Sequence, residues 1–167
     1  MPHPSLGLPP RDLSAGQPAA AARLRTAKSR LARLALENTL RAAPRFNDTY
    51  DEVMLRLLLR DFERHVEQLA RAMETGDSYY VAMYGEWLVP IYRRRHVPMK
   101  DVAALLGGLR DAAATVLTPA ESIVAEQHFE RWGARLQHHR RLAGDHKGNP
   151  VVRFFWKGAG VLDDEIV

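Results

Sequence analysis

The 167-residue sequence contains no cysteine. A disulfide framework, thiolate metal ligands and cysteine nucleophiles are therefore excluded, and the absence is typical of proteins that work in a reducing cytoplasm. The sequence also has no run of about 20 apolar residues, the length that a membrane-spanning helix requires. We therefore expect a cytoplasmic protein without a membrane span.

The sequence also lacks the short motifs of common enzyme classes. No glycine-rich phosphate loop follows a strand, and neither G-x-S-x-G nor H-E-x-x-H occurs. Glu126 and His128 stand two residues apart, whereas the Glu-x-x-His pair of di-iron bundles needs a separation of three. His138 and His139 are adjacent, so on a helix their side chains point about 100° apart and cannot hold one metal ion. We therefore expect no enzymatic activity and no metal site.

The composition is that of an ordinary globular protein, with 46% hydrophobic and 26% charged residues. The length fits one domain with a sizeable core. The net charge is +4, but the arginines are spread over amphipathic helical segments, where such residues usually form solvated faces. We therefore expect no nucleic-acid partner.

The apolar residues recur at helical spacing from residue 18 onward, and no strand-like alternation occurs before residue 150. Residues 1–17 are proline-rich and predict a flexible arm, residues 18–147 predict a helical domain, and residues 148–167 predict an extended aromatic tail. The sequence thus predicts an all-α fold of five helices, arranged as a globin-like domain or as a bundle.

Capping and turn residues mark where the five helices begin. The first is predicted to run unbroken over residues 18–42. The others are predicted to begin at a capping box of Thr49 and Glu52, near Ser78, at Pro98, and at a second capping box of Thr118 and Glu121. In a capping box the two side chains accept hydrogen bonds from amides of the first turn, which otherwise have no partner.

Four aromatic residues of the third predicted helix recur at helical spacing, namely Tyr80, Tyr84, Trp87 and Tyr92. Two interpretations are open, because such residues line pockets for planar ligands but more commonly belong to a core. His65 lies on the apolar stripe of the second helix. We expect it to be a hydrogen-bonded core histidine, with ligand binding as the alternative.

Two adjacent glycines, Gly107 and Gly108, fall in the middle of the fourth predicted helix. Each disfavours a helix by about 1 kcal/mol relative to alanine. A close approach of two backbones would compensate, and the partner is either another helix or a second subunit. Both glycines are therefore candidate interface residues of a homodimer.

The predicted tail concentrates aromatic bulk in Phe154, Phe155 and Trp156. One interpretation is that the tail folds back over an apolar groove of its own domain. The other is that it anchors a protein partner or a second subunit, because aromatic residues dominate the energetics of interfaces. The sequence leaves both interpretations open.

A tight corner is predicted at His96-Val97-Pro98-Met99, between a basic segment and an apolar helix. With this corner, residues 61–117 (DFERHVEQLARAMETGDSYYVAMYGEWLVPIYRRRHVPMKDVAALLGGLRDAAATVL) resemble the N-terminal regulatory domains of stressosome scaffold proteins and related sensor-globin modules. In those proteins a glycine is common where His96 stands. The resemblance implies a globin-like domain that forms a dimer and transmits a signal.

The resemblance also implies where a haem ligand would be. Haem-bearing sensor globins place their ligating histidine a few residues before the corner, and Tyr92 occupies that position here. We therefore hypothesise a haem-free sensory or adaptor domain that acts through protein–protein contacts as a homodimer. The alternative is a helical cofactor-binding protein that holds haem, another tetrapyrrole or a planar ligand against the aromatic residues, with His65 or His96 as the ligating histidine.

Overall fold

A computed structural model of the chain describes residues 16–143. Within that range the chain folds into seven helices, which are α1 (Pro18–Thr26), α2 (Lys28–Ala42), α3 (Phe46–Thr49), α4 (Glu52–Thr75), α5 (Tyr79–Arg94), α6 (Met99–Ala114) and α7 (Pro119–Ala143). The fold is all-α, as predicted, but the expected count of five helices is corrected to seven. None of these seven helices is long and apolar enough to cross a membrane. The predicted arm up to residue 15 and the tail over residues 148–167 lie outside the described residues.

The prediction of one unbroken helix over residues 18–42 is wrong. Ala27 has φ −91° and ψ 5°, and the chain bends there between α1 and α2. The two helices have different partners, because α1 packs on α4 while α2 packs on both α6 and α4. Packing therefore bends the chain at a residue that carries no glycine or proline signal.

The start of α4 also differs from the prediction. Thr49 is the last residue of α3, and its hydroxyl donates to the carbonyl oxygen of Arg45 at 2.8 Å instead of capping α4. The cap is Asp51, whose carboxylate accepts a hydrogen bond from the amide of Met54 at 2.8 Å. The short α3 has a packing reason, since the ring of Phe46 is fully buried.

Two other helix ends have the caps that their residues favour, and the second of them was predicted. Gly76 ends α4 in the left-handed conformation with φ 69°, which only glycine adopts without strain. Thr118 and Glu121 form the second capping box, with hydrogen bonds of 2.8 and 3.3 Å. The helix α5 continues through the exposed Pro90.

Helices that contact one another most extensively are mostly distant in sequence. The main pairs are α2 with α6, α1 with α4, α2 with α4, α5 with α7, and α6 with α7. Helix α4 is central because it contacts α1, α2, α5 and α7, and residues from all these helices contribute to one core. The relative directions of α4 and α5 follow from their contacts. Asp61 lies beside Arg95 while His65 lies beside Tyr84, so the two helices are antiparallel.

The predicted close approach of backbones occurs at Gly108, against another helix of the same chain. A Cβ atom at this position would lie 2.5 Å from the carbonyl oxygen of Ala35 and 2.2 Å from the hydroxyl oxygen of Thr39. Both of those atoms belong to α2, and Gly108 is buried. A Cβ atom at Gly107, in contrast, would meet nothing within 4 Å. Of the two glycines, only Gly107 remains a candidate for a close helix contact with a second subunit.

We expect Gly108→Ala to lower the free energy of unfolding by about 1–3 kcal/mol, because the methyl group forces α2 and α6 apart. Gly107→Ala is the matched control, since it makes the same change one residue earlier in open space. It should be neutral or stabilise the protein by up to about 1 kcal/mol, the helix-propensity gain of alanine. Urea unfolding of the two variants measures the difference, and equal effects would contradict the packing described above.

Candidate functional site

The buried side chain of His65 lies at the centre of a polar network between α4 and α5. Its Nδ1 atom is 3.0 Å from the hydroxyl oxygen of Tyr84, and its Nε2 atom is 2.9 Å from that of Tyr92. Both nitrogens of the imidazole thus have a hydrogen-bond partner. The expected core histidine is confirmed, and two of the aromatic residues singled out in the sequence hold it in place.

The network continues from Tyr92 to the rim of the domain. Asp61 lies near Tyr92 and forms an ion pair with Arg95 at 2.5 Å. Asp61 is 4% exposed, so this carboxylate is buried and is not a surface residue of α4. The sequence signal was its position four residues before His65, which places both side chains on one face of α4.

A neutral imidazole carries hydrogen on one ring nitrogen and accepts at the other. One of the two phenols therefore donates a hydrogen bond to His65, and the other accepts one from it.

Burial keeps the side chains of His65, Tyr84 and Tyr92 neutral. It lowers the pKa of His65 from 6.5 to about 3, helped by the positive charges of Arg64 and Arg95. Burial also raises the pKa of Tyr84, and it raises the pKa of Tyr92 well above its ordinary value, with the negative charge of Asp61 as the next cause in both residues. At neutral pH the histidine is uncharged and both phenols keep their protons.

Aromatic rings surround the imidazole on its remaining sides. Trp132 of α7 meets the His65 ring edge to face with centroids 5.5 Å apart, and Phe62 does so at 5.8 Å. Gly85 of α5 makes room for the indole, because a Cβ atom there would lie 3.1 Å from Cδ1 of Trp132. The role of Trp132 was missed in the sequence, because only the packing of α7 on α5 brings it to His65.

The remaining aromatic candidates lie on the outside of α5. Trp87 is 48% exposed and stacks on Tyr84 with centroids 5.5 Å apart and planes 24° apart, while Tyr80 is 38% exposed. Tyr84 lies between the two environments, because its ring contacts Trp87 and its hydroxyl contacts His65. The candidates therefore divide into a buried group and an exposed group that meet at Tyr84.

His96 lies outside this cluster. It is exposed and has φ 59°, the left-handed conformation that favours glycine. The amide of His96 donates to the carbonyl of Arg93, and the amide of Val97 donates to that of Tyr92, the hydrogen bonds of a Schellman motif. The role of His96 here is to end α5 at the corner, with its side chain on the surface.

His65 should make stability depend on pH in the acid range. Its pKa is about 3 in the folded protein and 6.5 ordinarily, so protons favour the unfolded chain. This contribution is fully present above about pH 6.5 and is lost as the pH falls toward 3. Between about pH 7 and pH 5 we expect it to lower the free energy of unfolding by roughly 2 kcal/mol, measured by urea unfolding.

The substitution His65→Gln removes the titrating group. Between about pH 7 and pH 5 this variant should therefore lose roughly 2 kcal/mol less of its free energy of unfolding than the original protein does. His138→Gln is the matched control, because it removes an exposed histidine and should leave the pH dependence of the original protein. Identical pH dependence in the original protein and His65→Gln would show that His65 is not buried in its neutral form.

Within residues 16–143, no three histidine or carboxylate side chains lie close enough together to hold a metal ion. The sequence matches no model of a known protein family. A search of curated proteins also found no match. The features that bear on function are therefore those of the chain itself, a buried histidine–tyrosine network joined through Tyr84 to an exposed aromatic helix face.

Proposed function

We propose that the chain is a cytoplasmic, haem-free, globin-like sensory or adaptor domain that acts as a homodimer through contacts with other proteins. The packing of the helices supports the globin-like arrangement. Globins pack their helices pairwise around a pocket, whereas simple bundles place helices that are consecutive in sequence side by side. Here the main pairs, such as α2 with α6 and α1 with α4, join helices that are distant in sequence.

The hydrogen bond between His65 and Tyr92 is the observation that carries the haem-free part of the proposal. Their atoms are 2.9 Å apart across the space between α4 and α5. Two atoms that bind one metal ion from opposite sides are separated by about 4 Å, because each bond is about 2 Å long. A macrocycle between the two helices would also break the hydrogen bond. The pair therefore does not fit a haem.

The chemistry of Tyr92 points in the same direction. A tyrosine ligates haem iron through its phenolate oxygen. Burial and the neighbouring Asp61 raise the pKa of Tyr92 well above its ordinary value, so this phenol resists losing its proton. At the position where sensor globins carry their haem ligand, this chain thus has Tyr92, which favours a hydrogen bond within the protein over ligation of iron.

Titration of the purified protein with haem tests this proposal. We expect no Soret band of ligated haem in the original protein and none in His65→Ala or His96→Ala, because the Tyr92 position offers no histidine and His65 is already bonded on both nitrogens. A Soret band in the original protein that disappears in His65→Ala or His96→Ala would favour the cofactor-binding alternative and end the haem-free proposal.

The homodimer part of the proposal is supported by the outer face of α6. Gly107 shares that side of the helix with two exposed alanines, Ala103 and Ala114, and with the exposed charged pair Arg110 and Asp111. Small residues let two helices approach closely. A second copy of the chain packed there would give Gly107 the helix contact that the structure gives Gly108 within the chain.

A charge at Gly107 should separate the subunits. We expect the original protein to sediment as a dimer and Gly107→Glu to sediment as a monomer, because an unpaired carboxylate in a close helix contact has no water around it. Ala134→Glu adds the same charge to an exposed position of α7 and should remain dimeric. Sedimentation as a monomer by the original protein, or as a dimer by Gly107→Glu, would contradict this interface.

A further inference from the structure

The outer face of α5 is an exposed apolar surface of unusual extent for this chain. Four of its residues are large and exposed, namely Tyr79 at 60%, Tyr80 at 38%, Met83 at 47% and Trp87 at 48%. Pro90, also exposed, and the half-buried Ile91 continue the same side of the helix. We call these six residues the α5 face. The opposite side of α5 is buried in the core, and polar residues lie between the two, where Glu86 and Arg93 bond to α7. The helix is therefore apolar over most of its circumference.

Such a helix is typical of a fully buried position, since exposed helices usually carry a polar outer side. On this side of the helix the next residue after Ile91 is Arg94, which is charged and lies at the C-terminal end of α5. Apolar surfaces of this kind mark sites where another segment or molecule binds. The α5 face therefore requires an occupant.

The end of α7 lies next to this face. Ser78 at the start of α5 contacts His128, and Arg93 near its end donates to the carbonyl oxygen of His139. The earlier residue of α5 contacts the earlier residue of α7 and the later contacts the later, so α5 and α7 run parallel. The chain therefore leaves α7 at Ala143 beside the C-terminal end of α5.

Leu142, in the last turn of α7, lies on the side of that helix that faces α5. It lies on the stripe of α7 that contacts α5, three residues beyond His139 and seven beyond Arg135. Its side chain is 60% exposed, because α5 ends at Arg94. An apolar residue thus lies between the point where α7 ends and the α5 face.

The length of the following segment matches the surface. The α5 face extends over 13 residues of helix, from Tyr79 to Ile91, or about 18 Å. Residues 151–156 read VVRFFW, and six extended residues span about 20 Å. The seven residues before them span up to about 23 Å, enough to turn back along α5. In an extended chain alternate side chains share a side, which groups Val152, Phe154 and Trp156.

We propose that residues 151–156 bind the α5 face of their own chain and run antiparallel to α5. Val152, Phe154 and Trp156 then lie over Trp87, Met83 and Tyr80 in turn. The tether makes this occupant the favoured one, because a link of only seven residues holds its end at a high effective concentration, of millimolar order. The inference is independent of the haem-free proposal, since it depends on the surface of α5 and not on the buried network.

The absence of native cysteine allows a direct test in the full chain. Tyr79→Cys places one thiol at the far end of the α5 face, and Lys157→Cys places the other just after the proposed segment. Under mild oxidation we expect a disulfide within one chain, seen as faster migration on a non-reducing gel. Its formation rate should be independent of protein concentration.

The matched control combines Lys157→Cys with Val53→Cys. Val53 is 67% exposed at the start of α4, and α4 is antiparallel to α5, so this thiol lies toward the end of the molecule where α7 ends. A free tail reaches both thiols. Docking should make the Tyr79→Cys pair react about tenfold faster than the control, by raising the effective concentration above that of a free tether.

Adding Phe154→Ser and Trp156→Ser to the Tyr79→Cys pair should reduce its rate to that of the control, because both apolar contacts are removed. Without the serine substitutions, equal rates for the Tyr79→Cys pair and the Val53→Cys pair would overturn the proposal. A disulfide between two chains of the Tyr79→Cys single variant would overturn it in favour of a second copy on the α5 face. A disulfide of the double variant that forms only between chains would assign the segment to a neighbouring molecule instead.

Discussion

The imidazole of His65 imposes the main constraint on this fold, because it is buried and must have partners for both nitrogens. Tyr84 and Tyr92 provide them, and both lie on α5. The distance and rotation of α5 relative to α4 are therefore set by two hydrogen bonds. Helix α7 follows from that placement, since Trp132 packs on the same imidazole and requires Gly85 on α5. Three helices are thus positioned around one side chain.

A second constraint positions the other half of the domain. Helix α6 approaches α2 so closely at Gly108 that no side chain fits there. The start of α6 is fixed by Asp101, which is fully buried, accepts a hydrogen bond from the hydroxyl of Tyr50 at 2.6 Å and pairs with Arg45. The two halves share α4, so α4 is in contact with both the His65 network and the helices that pack at Gly108.

The sequence predicted those features that depend on local chemistry. The capping box of Thr118 and Glu121 formed because both residues lie in one turn. The recurrence of apolar residues at helical spacing was sufficient to predict an all-α fold. The bend at Ala27 could not be predicted, because it reflects two different packing partners. The buried network was predictable in part. His65 lay on an apolar stripe, but its partners depend on how α5 and α7 pack against α4.

The hydrogen bond between Tyr84 and His65 sets the size of the free-energy coupling between the surface of α5 and the buried network. The ring of Tyr84 stacks on Trp87 and its hydroxyl is hydrogen-bonded to His65, so a displacement of the ring breaks that hydrogen bond. A buried polar group without its partner raises the free energy by about 1–3 kcal/mol. Couplings between sites in regulated proteins have the same size. One hydrogen bond is therefore sufficient to make binding at the α5 face sensitive to the state of the buried network, and the reverse follows because coupling is reciprocal.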